Sequence, residues 1–235
     1  MKIAIIGHGK MGRLVEELAL NRGHEIVGVV DLDKWEDHYI KDADVAIEFT
    51  SPDSAVKNIC KCFSLNIPVV VGTTGWYDNY DMILNKCNEL DGAFLAATNF
   101  SLGVNIFFEI NKKLASLMSP NKQYMPHVSE THHLQKIDSP SGTAITIADD
   151  MIEELKDYKS WEEADQVNDN VLKIKSIRKD NVPGTHRVEY KSNEDKIIIE
   201  HEALNRNGFA LGAVIAAEFL RDKKGVFTMK QVLGF

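Results

Sequence analysis

The sequence has few cysteines, few prolines and no long uninterrupted apolar run. Its 235 residues include 3 cysteines and 6 prolines. Cys60 and Cys62 flank a lysine inside a helical pattern, and Cys87 stands alone, so we expect reduced thiols rather than a disulfide framework or a CxxC zinc motif. No apolar run is long enough to cross a bilayer, and the chain opens on a strand pattern without a signal core. These absences predict a cytoplasmic protein with no membrane partner.

Positive charge is also scarce in this sequence. The chain has 27 Lys and Arg against 35 Asp and Glu, which gives a formal net charge of -8. This excess of negative charge argues against DNA or RNA as a partner, although a small anionic substrate needs only a local basic site. Apolar residues make up 44% of the sequence, which is enough for the cores of two modest domains.

The segment 130–143 concentrates the reactive side chains of the chain. It reads Glu-Thr-His-His-Leu-Gln-Lys-Ile-Asp-Ser-Pro-Ser-Gly-Thr. The adjacent imidazoles of His132 and His133 and the ammonium group of Lys136 are candidate proton donors. We therefore predict that this segment forms the active site.

A helix is expected to begin at the end of this segment. Ser141 fits the N-cap position, and apolar residues at helical spacing continue through 143–156. The backbone N–H groups of Gly142 and Thr143 would then point at an anion, because the first turn of a helix has no internal acceptors for them. With Lys136 close by, the favoured ligand is a carboxylate or a phosphate.

Two simpler explanations of the histidine pair have to be weighed. Histidines in a polar loop more often serve solvation or packing than catalysis. A shared zinc ion has less support still, because neighbours on a strand point to opposite faces and no HExxH or CxxC spacing accompanies His132 and His133. We therefore predict no metal. The lysine and the Ser-Gly-Thr turn in the same segment favour catalysis.

The N-terminal residues carry a dinucleotide-binding pattern. An apolar strand at 2–6 precedes a glycine-rich loop, a helix at 13–20 and an apolar strand at 25–30. The glycines allow a tight turn and close approach of a pyrophosphate, and an acid after the second strand accepts hydrogen bonds from the ribose. We predict that the nucleotide is bound by Gly7, His8, Gly9, Lys10, Met11 and Gly12, and by the acid Asp31.

Further strands and helices alternate after this pattern. Strands are expected at 44–50, 67–71 and 93–97, with helices at 53–65 and 77–90 between them. The carboxyl ends of parallel strands form the ligand-binding edge of such a sheet. Candidate nucleotide contacts at this edge are Phe49, Thr50, Gly72, Thr73, Thr74, Ala97, Thr98, Asn99 and Phe100.

The second half of the chain has a different pattern. After a long apolar helix, strands follow one another with a single helix among them, which favours an antiparallel-leaning α+β sheet. A polar loop or frayed helix end is expected at 157–170, and a small-residue helix at 206–220 is expected to return to the first domain. The helix is predicted at 102–118, and the strands at 123–131, 171–178, 185–191 and 196–203.

These elements predict an α/β fold with two domains. An N-terminal Rossmann parallel sheet is followed by an α+β substrate-binding and oligomerisation domain. We place the dinucleotide-binding domain at 1–99, completed by 206–235, and the second domain at 100–205.

Six motifs spread along the chain resemble those of one family. They are Glu130-x-His-His-x-x-Lys-x-Asp-x-Pro-Ser-Gly-Thr-Ala144, Gly72-Thr-Thr-Gly75, Asn99-Phe-Ser-Leu-Gly-Val-Asn105, Val182-Pro-Gly-Thr-His186, His201-Glu-Ala203 and Gly225-Val-Phe-Thr-Met. Together they resemble the dihydrodipicolinate reductases, also called 4-hydroxy-tetrahydrodipicolinate reductases, of the diaminopimelate route to lysine. The resemblance covers nearly the whole chain.

The resemblance implies NAD(P)H-dependent reduction of 4-hydroxy-tetrahydrodipicolinate to tetrahydrodipicolinate. His132 would be the general acid, and Lys136 would assist protonation and substrate binding. His133 would contact the substrate, a small dicarboxylate, while Gly142 and Thr143 would hold one of its carboxylates. A homotetramer joined through the strands of the second domain is also expected.

Two departures from the family pattern bear on the cofactor. The family's glycine loop is one residue longer, with a GxxGxxG pattern, and this chain is shorter after the second strand. The charge of Asp31 would repel the 2′-phosphate of NADPH, and Leu32 stands where an arginine often assists, although Lys34 or Lys10 could supply a cation. We expect both NADH and NADPH to work, with NADH preferred by about tenfold or less.

Three other functions compete with this one. The chain could be another two-domain Rossmann oxidoreductase acting on amino or sugar acids, but the Glu-Lys-Pro signature of many sugar dehydrogenases is absent. It could be a non-catalytic NAD-sensing module, in which case His132 or Lys136 should have been lost, and both are present. A metal-dependent hydrolase is a more distant alternative, which the metal content of the purified protein would reveal.

Overall fold

The structure is a computed structural model that describes residues 1–31, 38, 40–164 and 168–235. Over these residues the chain divides into two compact units. One unit comprises Met1–Leu102 with Asn207–Phe235, and the other comprises Gly103–Arg206. Each unit is organised around a β-sheet.

Strands and helices of the first unit follow in the predicted order. They are β1 (Lys2–Ile6), α1 (Lys10–Asn21), β2 (Glu25–Val30), β3 (Val45–Glu48), α2 (Pro52–Ser64), β4 (Val69–Val71), α3 (Tyr80–Glu89) and β5 (Ala93–Ala96). A 3-10 turn at Tyr77–Asn79 precedes α3, so the α-helix predicted at 77–90 begins three residues late.

The chain continues through the second unit and returns to the first. The next elements are α4 (Leu102–Met118), β6 (Met125–His132), α5 (Gly142–Glu154), β7 (Ser160–Glu163), β8 (Val171–Arg178), β9 (Gly184–Lys191), β10 (Lys196–Ala203), α6 (Asn207–Leu220), β11 (Gly225–Phe227) and α7 (Met229–Leu233). None of the described helices is long and apolar enough to cross a membrane.

The first sheet is parallel and covered by helices on both faces. Its strand order is β11-β5-β4-β3-β1-β2, with parallel pairing throughout. Because side chains alternate along a strand, Ile3 and Ile5 pack with α1 and α6, whereas Ala4 and Ile6 pack with α2 and α3. The uninterrupted apolar sequence of β1 is thus explained by burial on both sides.

The small residues of α6 allow it to lie close to the rest of the first unit. A Cβ atom on Gly212 would be 1.8 Å from the carbonyl oxygen of Phe100, so glycine is required at this contact. The helix begins at Asn207, one residue after the predicted start.

The second sheet is mixed rather than mainly antiparallel. Its order is β10-β9-β6-β8-β7, with antiparallel pairs from β10 to β6 and parallel pairs from β6 to β7. The helices α4 and α5 supply Phe107, Ala115, Ile147 and Met151 to a core with the buried side chains of β6, β8 and β9. The predicted class, a Rossmann parallel sheet plus an α+β domain, is confirmed.

The prediction of a loop or frayed helix end at 157–170 is wrong in part. Ser160–Glu163 forms β7, which pairs with β8 at one edge of the second sheet. Three of its four residues are exposed and its sequence is Ser-Trp-Glu-Glu, so it lacks the apolar alternation that identifies a strand.

Candidate active site

The strand β6 places an acid and an imidazole on one buried face. Side chains two residues apart on a strand point the same way, and Glu130 and His132 are 1% and 8% exposed. His133 follows the end of the strand and is half-buried. The two adjacent histidines therefore occupy different environments.

Two neighbouring strands bring further polar groups to this acid. Arg178 on β8 pairs in register with His132, and His186 on β9 pairs in register with Glu130. The Nη1 atom of Arg178 lies 3.3 Å from Oε1 of Glu130. The rings of His132 and His186 meet edge to face, with centroids 5.0 Å apart.

The start of α5 is tied to the same carboxylate. The Oγ atom of Ser141 accepts from the N–H of Ala144 at 3.2 Å, which confirms the predicted cap. The N–H of Ser141 donates to Oε1 of Glu130 at 3.1 Å. A Cβ atom on Gly142 would meet no heavy atom of the described residues within 4 Å, so these residues leave open the space in front of Gly142.

The charges of the cluster follow from its burial and contacts. Burial alone would raise the pKa of Glu130, but the His132 ring and the Ser141 N–H hold that pKa well below its usual range. Burial, reinforced by the neighbouring His132, lowers the pKa of His186 to about 3. Partial burial and the charge of Arg206 also lower the pKa of His133. Glu130 is therefore ionised near neutral pH, and the His186 ring is uncharged.

Lys136 lies in the loop between β6 and α5. Its Nζ atom is 2.8 Å and 2.7 Å from the two carboxylate oxygens of Asp138. The Asp138 side chain is 58% exposed, so an incoming carboxylate could replace it as the partner of the ammonium group. The Nη2 atom of Arg178 donates to the Asp138 carbonyl oxygen at 2.7 Å, which connects this loop to the buried cluster.

The cluster also has donor types that suit a metal. Ligand atoms of Glu130, His132 and His186 lie within 4.8 Å of one another. Protein groups already bind one carboxylate oxygen, however, because Oε1 accepts from Arg178 and from the Ser141 N–H. The other oxygen, Oε2, lies 3.2 Å from Nδ1 of His132 and accepts no hydrogen bond from the described residues. A guanidinium group at this distance would repel a metal cation, which disfavours a metal at this cluster.

The three glycines at the end of β1 and the start of α1 have different roles. Gly7 has φ +91°, and a Cβ atom there would lie 2.0 Å from the carbonyl oxygen of Phe49. A Cβ atom on Gly12 would lie 1.9 Å from the carbonyl oxygen of Gly7, whereas one on Gly9 would meet none of the described residues within 4 Å. Packing thus explains Gly7 and Gly12, while Gly9 lies at the start of α1, where we predict the pyrophosphate.

The other loop residues surround this opening. The Nε2 atom of His8 lies 2.6 Å from Oε2 of Glu16, which holds the ring against α1. Lys10 is exposed, and Met11 packs partly against the core. A cation and open backbone therefore flank the same helix N-terminus.

The end of β2 lies beside the glycine loop. The N–H of Gly7 donates to the carbonyl oxygen of Val30 at 2.8 Å, and the exposed Asp31 follows directly. Leu32 and Lys34, on which the predicted cofactor preference also depends, lie outside the described residues.

A buried polar network joins the carboxyl ends of β3 and β4. The Thr50 N–H donates to Oγ1 of Thr73 at 2.7 Å, and the Thr50 hydroxyl donates to Glu48. Asn58 also donates to Glu48, at 3.2 Å. Burial raises the pKa of Glu48. Thr50 and Thr73 thus fix the geometry of the edge at which we predict nucleotide binding.

The remaining predicted contacts follow strands at this edge. A Cβ atom on Gly72 would lie 2.1 Å from the Phe49 ring, so these two residues pack directly on each other. The Phe49 ring also meets Phe100 edge-on, at 6.3 Å between centroids. Thr74 follows β4, and Ala97, Thr98 and Asn99 follow β5.

A cavity of about 680 Å³ lies elsewhere in the second unit. It is lined by the start of β6, including His127, and by the end of β9, including Tyr190. It therefore lies at the end of β6 opposite His132, and no residue of the predicted active site lines it. Converging titratable groups identify the site better than cavity size does here.

Sequence reasoning missed several members of the cluster. Glu130 and His186 stand within the quoted motifs, but their mutual contact depends on the pairing of β6 with β9. Arg178 belongs to no motif, and only its register opposite His132 brings it to the site. A buried Glu-x-His on one strand is the signal that could have suggested a paired acid.

A parallel nucleotide-binding sheet and a second domain bearing histidine, lysine and a helix start define a two-domain nicotinamide-dependent oxidoreductase. Residues 1–100 match the family described as dihydrodipicolinate reductase, N-terminus, and residues 103–233 match its C-terminus. The chain belongs to the dihydrodipicolinate reductase family, whose members reduce their substrate in lysine and diaminopimelate biosynthesis.

Known relatives match over essentially the full chain. A 4-hydroxy-tetrahydrodipicolinate reductase from Christiangramia forsetii is 52% identical, over 99% of this chain and 98% of the relative. One from Archaeoglobus fulgidus is 33% identical, over 99% of this chain and 100% of the relative. A dipicolinate-bound dihydrodipicolinate reductase from a Paenisporosarcina species has the same fold, with a TM-score of 0.75, 21% identity and 97% coverage of both chains.

Proposed function

We propose that this chain reduces 4-hydroxy-tetrahydrodipicolinate with His132 as the general acid and Lys136 as the cation that binds and polarises the substrate. The observation that supports these roles is the buried imidazole beside Glu130, next to an open helix start and a lysine-bearing loop. The match to relatives of this activity over nearly the whole chain favours this reaction over another Rossmann oxidoreductase, a sensor or a hydrolase.

The proposed binding of the substrate rests on the attraction between its carboxylates and positively polarised groups of the protein. A cyclic dicarboxylate needs cations or N–H groups for its two carboxylates, and Lys136 with the N–H groups of Gly142 and Thr143 would supply them. His133, with its lowered pKa, would add an uncharged hydrogen-bonding group. The dipicolinate bound to the Paenisporosarcina relative is a ligand of this kind.

The proposed binding of the nucleotide rests on the glycine loop and the carboxyl ends of the strands in the first unit. Gly9 and the start of α1 would hold the pyrophosphate, and Asp31 would accept hydrogen bonds from the adenosine ribose. The nicotinamide half would bind at the sheet edge formed by Phe49, Thr50 and Thr73. When bound, the reduced nicotinamide supplies a hydride. His132 supplies the matching proton, so that negative charge does not accumulate on the substrate.

Replacing Gly142 by alanine should weaken dicarboxylate binding without unfolding the protein. The new methyl group would occupy space that the protein leaves open, so we expect dipicolinate to bind about tenfold more weakly, a loss of roughly 1.4 kcal/mol. Titration calorimetry with dipicolinate in the presence of nucleotide measures this change. Gly208→Ala, in the first turn of α6, is the matched control. Equal affinity of Gly142→Ala and the wild type for dipicolinate would show that the start of α5 does not bind the substrate.

Both nucleotides should support turnover, with NADH preferred by about tenfold or less. Asp31 can accept from both ribose hydroxyls of NADH, whereas its charge opposes the 2′-phosphate of NADPH. In steady-state assays, Asp31→Ala should raise the KM for NADH and reduce the preference for NADH over NADPH. Asp53→Ala, at the start of α2, is the control. A strong NADPH preference of the wild type, or an unchanged KM for NADH in Asp31→Ala, would show that Asp31 does not bind the ribose of NADH.

A homotetramer in the cytoplasm is the expected state of the protein. One face of the second sheet packs on α4 and α5, and the sheet also carries exposed apolar residues, of which Met125 is 64% and Ile197 is 39% exposed. Light scattering at micromolar concentration should give a tetramer for the wild type and a smaller species for Ile197→Lys. Leu20→Lys, at an exposed apolar residue of α1, should leave the tetramer intact. A monomeric wild type would contradict the prediction.

A further inference from the structure

One buried carboxylate contacts three separate segments of the proposed site. The Glu130 side chain is fully buried, and its Oε1 atom accepts from the Ser141 N–H at 3.1 Å, at the start of α5. The same oxygen lies 3.3 Å from Nη1 of Arg178. The other oxygen, Oε2, lies 3.2 Å from Nδ1 of His132.

Arg178 extends these contacts to the loop that carries Lys136. Its Nη2 atom donates to the Asp138 carbonyl oxygen at 2.7 Å, and the Asp138 side chain holds the Lys136 ammonium group. The guanidinium group also balances the charge of the buried acid. Through Glu130 and Arg178, the imidazole, the lysine loop and the helix start are thus held by one ion pair.

The orientation of His132 decides which nitrogen transfers a proton. A carboxylate 3.2 Å from Nδ1 favours the tautomer with the proton on that atom, which leaves Nε2 to face a substrate. A Cβ atom on Gly184 would lie 3.0 Å from Nε2, so glycine at this position of β9 avoids a side chain pressing on this nitrogen. His186, uncharged at neutral pH, packs edge-on against the ring without competing as a cation for Glu130.

We propose that Glu130 is a positioning residue of the reduction: it fixes His132 with Nε2 as the proton-donating atom and holds the helix start at a set distance from that ring. The proposal rests on the proposed function of His132 as general acid. Glu130 does not touch the substrate in this scheme and acts only through the groups that it holds.

A different result is expected if Glu130 has only a structural role. A buried ion pair contributes little net stability compared with a packed apolar pair, although removing one partner is costly. If Glu130 only held β6, β8 and α5 together, its replacement would lower stability and leave the proton-transfer step of the folded enzyme unchanged. A measurement of that step therefore separates the two purposes.

Glu130→Gln is the direct test, because it keeps the size of the side chain and an oxygen that accepts from Ser141. It replaces the other oxygen, the one beside Nδ1 of His132, by an NH2 group that carries no charge and donates instead of accepting. We expect kcat to fall by about 10²-fold, the cost typical of a misplaced catalytic group, while the KM for nucleotide stays within about twofold. The solvent deuterium isotope effect on kcat should rise, since proton transfer becomes slower than the other steps. Glu189→Gln, which removes an acid that pairs with Arg187 on β9, should match the wild type in both respects.

A double-mutant cycle tests whether Glu130 acts through His132. In a His132→Ala background, adding Glu130→Gln should lower kcat no further, because the group that the acid positions is already gone. Glu130→Asp provides a second variant that keeps the buried charge but shortens the side chain. It should also raise the solvent isotope effect, even if Glu130→Gln does not fold.

The outcomes separate this proposal from the function on which it rests. Wild-type turnover in the same assay is the reference, and its absence would overturn the proposed function itself. An active wild type beside Glu130 variants with unchanged kcat and unchanged solvent isotope effect would overturn only the positioning proposal. Fully additive losses in the double mutant would do the same.

Discussion

Replacing His132 by alanine is expected to lower kcat by about two to four orders of magnitude, since a general acid typically contributes that much. The ring is nearly buried and lies 3.2 Å from an ionised carboxylate, and glycine at position 184 leaves its Nε2 atom without a side chain pressing on it from β9. Nucleotide affinity should stay near the wild-type value, because the glycine loop and the Thr50 edge are in the other unit. Steady-state kinetics and fluorescence of bound NADH measure the two quantities.

The matched control for this variant is His24→Ala. It removes another imidazole that pairs with a carboxylate, Nε2 of His24 lying 2.8 Å from Glu218, but in the first unit. His24→Ala should keep nearly full turnover. Unchanged turnover in His132→Ala would remove this residue from the acid step and would leave the buried Glu130 without its proposed partner.

Replacing Lys136 by methionine should also give a large loss of activity. A charge-assisted hydrogen bond contributes about 1.5 to 3 kcal/mol, so kcat/KM for the dicarboxylate substrate should fall roughly 10- to 150-fold. The KM for nucleotide should not change. In the free protein the ammonium group contacts both oxygens of the exposed Asp138, and we expect the substrate carboxylate to take over this contact.

Two variants control for the loss of a lysine. Lys112→Met removes a lysine that pairs with Glu153 at 2.6 Å on the surface of α4, and it should leave kcat/KM unchanged. Asp138→Asn frees Lys136 from its partner and should keep or lower the KM for substrate. A raised nucleotide KM with normal substrate kinetics in Lys136→Met would place this cation in the nucleotide site instead.

The first unit could be predicted closely from sequence because its signals are local. One signal is an apolar strand that is buried on both faces. Another is a glycine-rich segment in which backbone conformation requires one glycine and close packing requires another. Both signals consist of residues that are neighbours in the sequence. Gly9 is the informative exception, since neither packing nor backbone conformation requires it. By contrast, the short strand β11 has only three residues, all half-buried, and no pattern of that length can be distinguished from a loop.

The second unit was harder to predict because strand pairing is not local. The residues of β6, β8 and β9 were recognised as strands, but nothing in their alternation says whether β8 runs parallel to β6. That pairing places Arg178 opposite His132. The motif therefore predicts the candidate proton donor and the helix start, while the acid–guanidinium pair that connects them depends on the sheet register.

The most direct test of the central claim is nucleotide oxidation with the product of the synthase that precedes this reductase family in the lysine route. The wild type should oxidise both NADH and NADPH only when that product is present, and His132→Ala should oxidise either about 10²- to 10⁴-fold more slowly. Absence of substrate-dependent oxidation by the wild type, or equal rates in the wild type and His132→Ala, would contradict the assignment of His132 and Lys136 to this reduction.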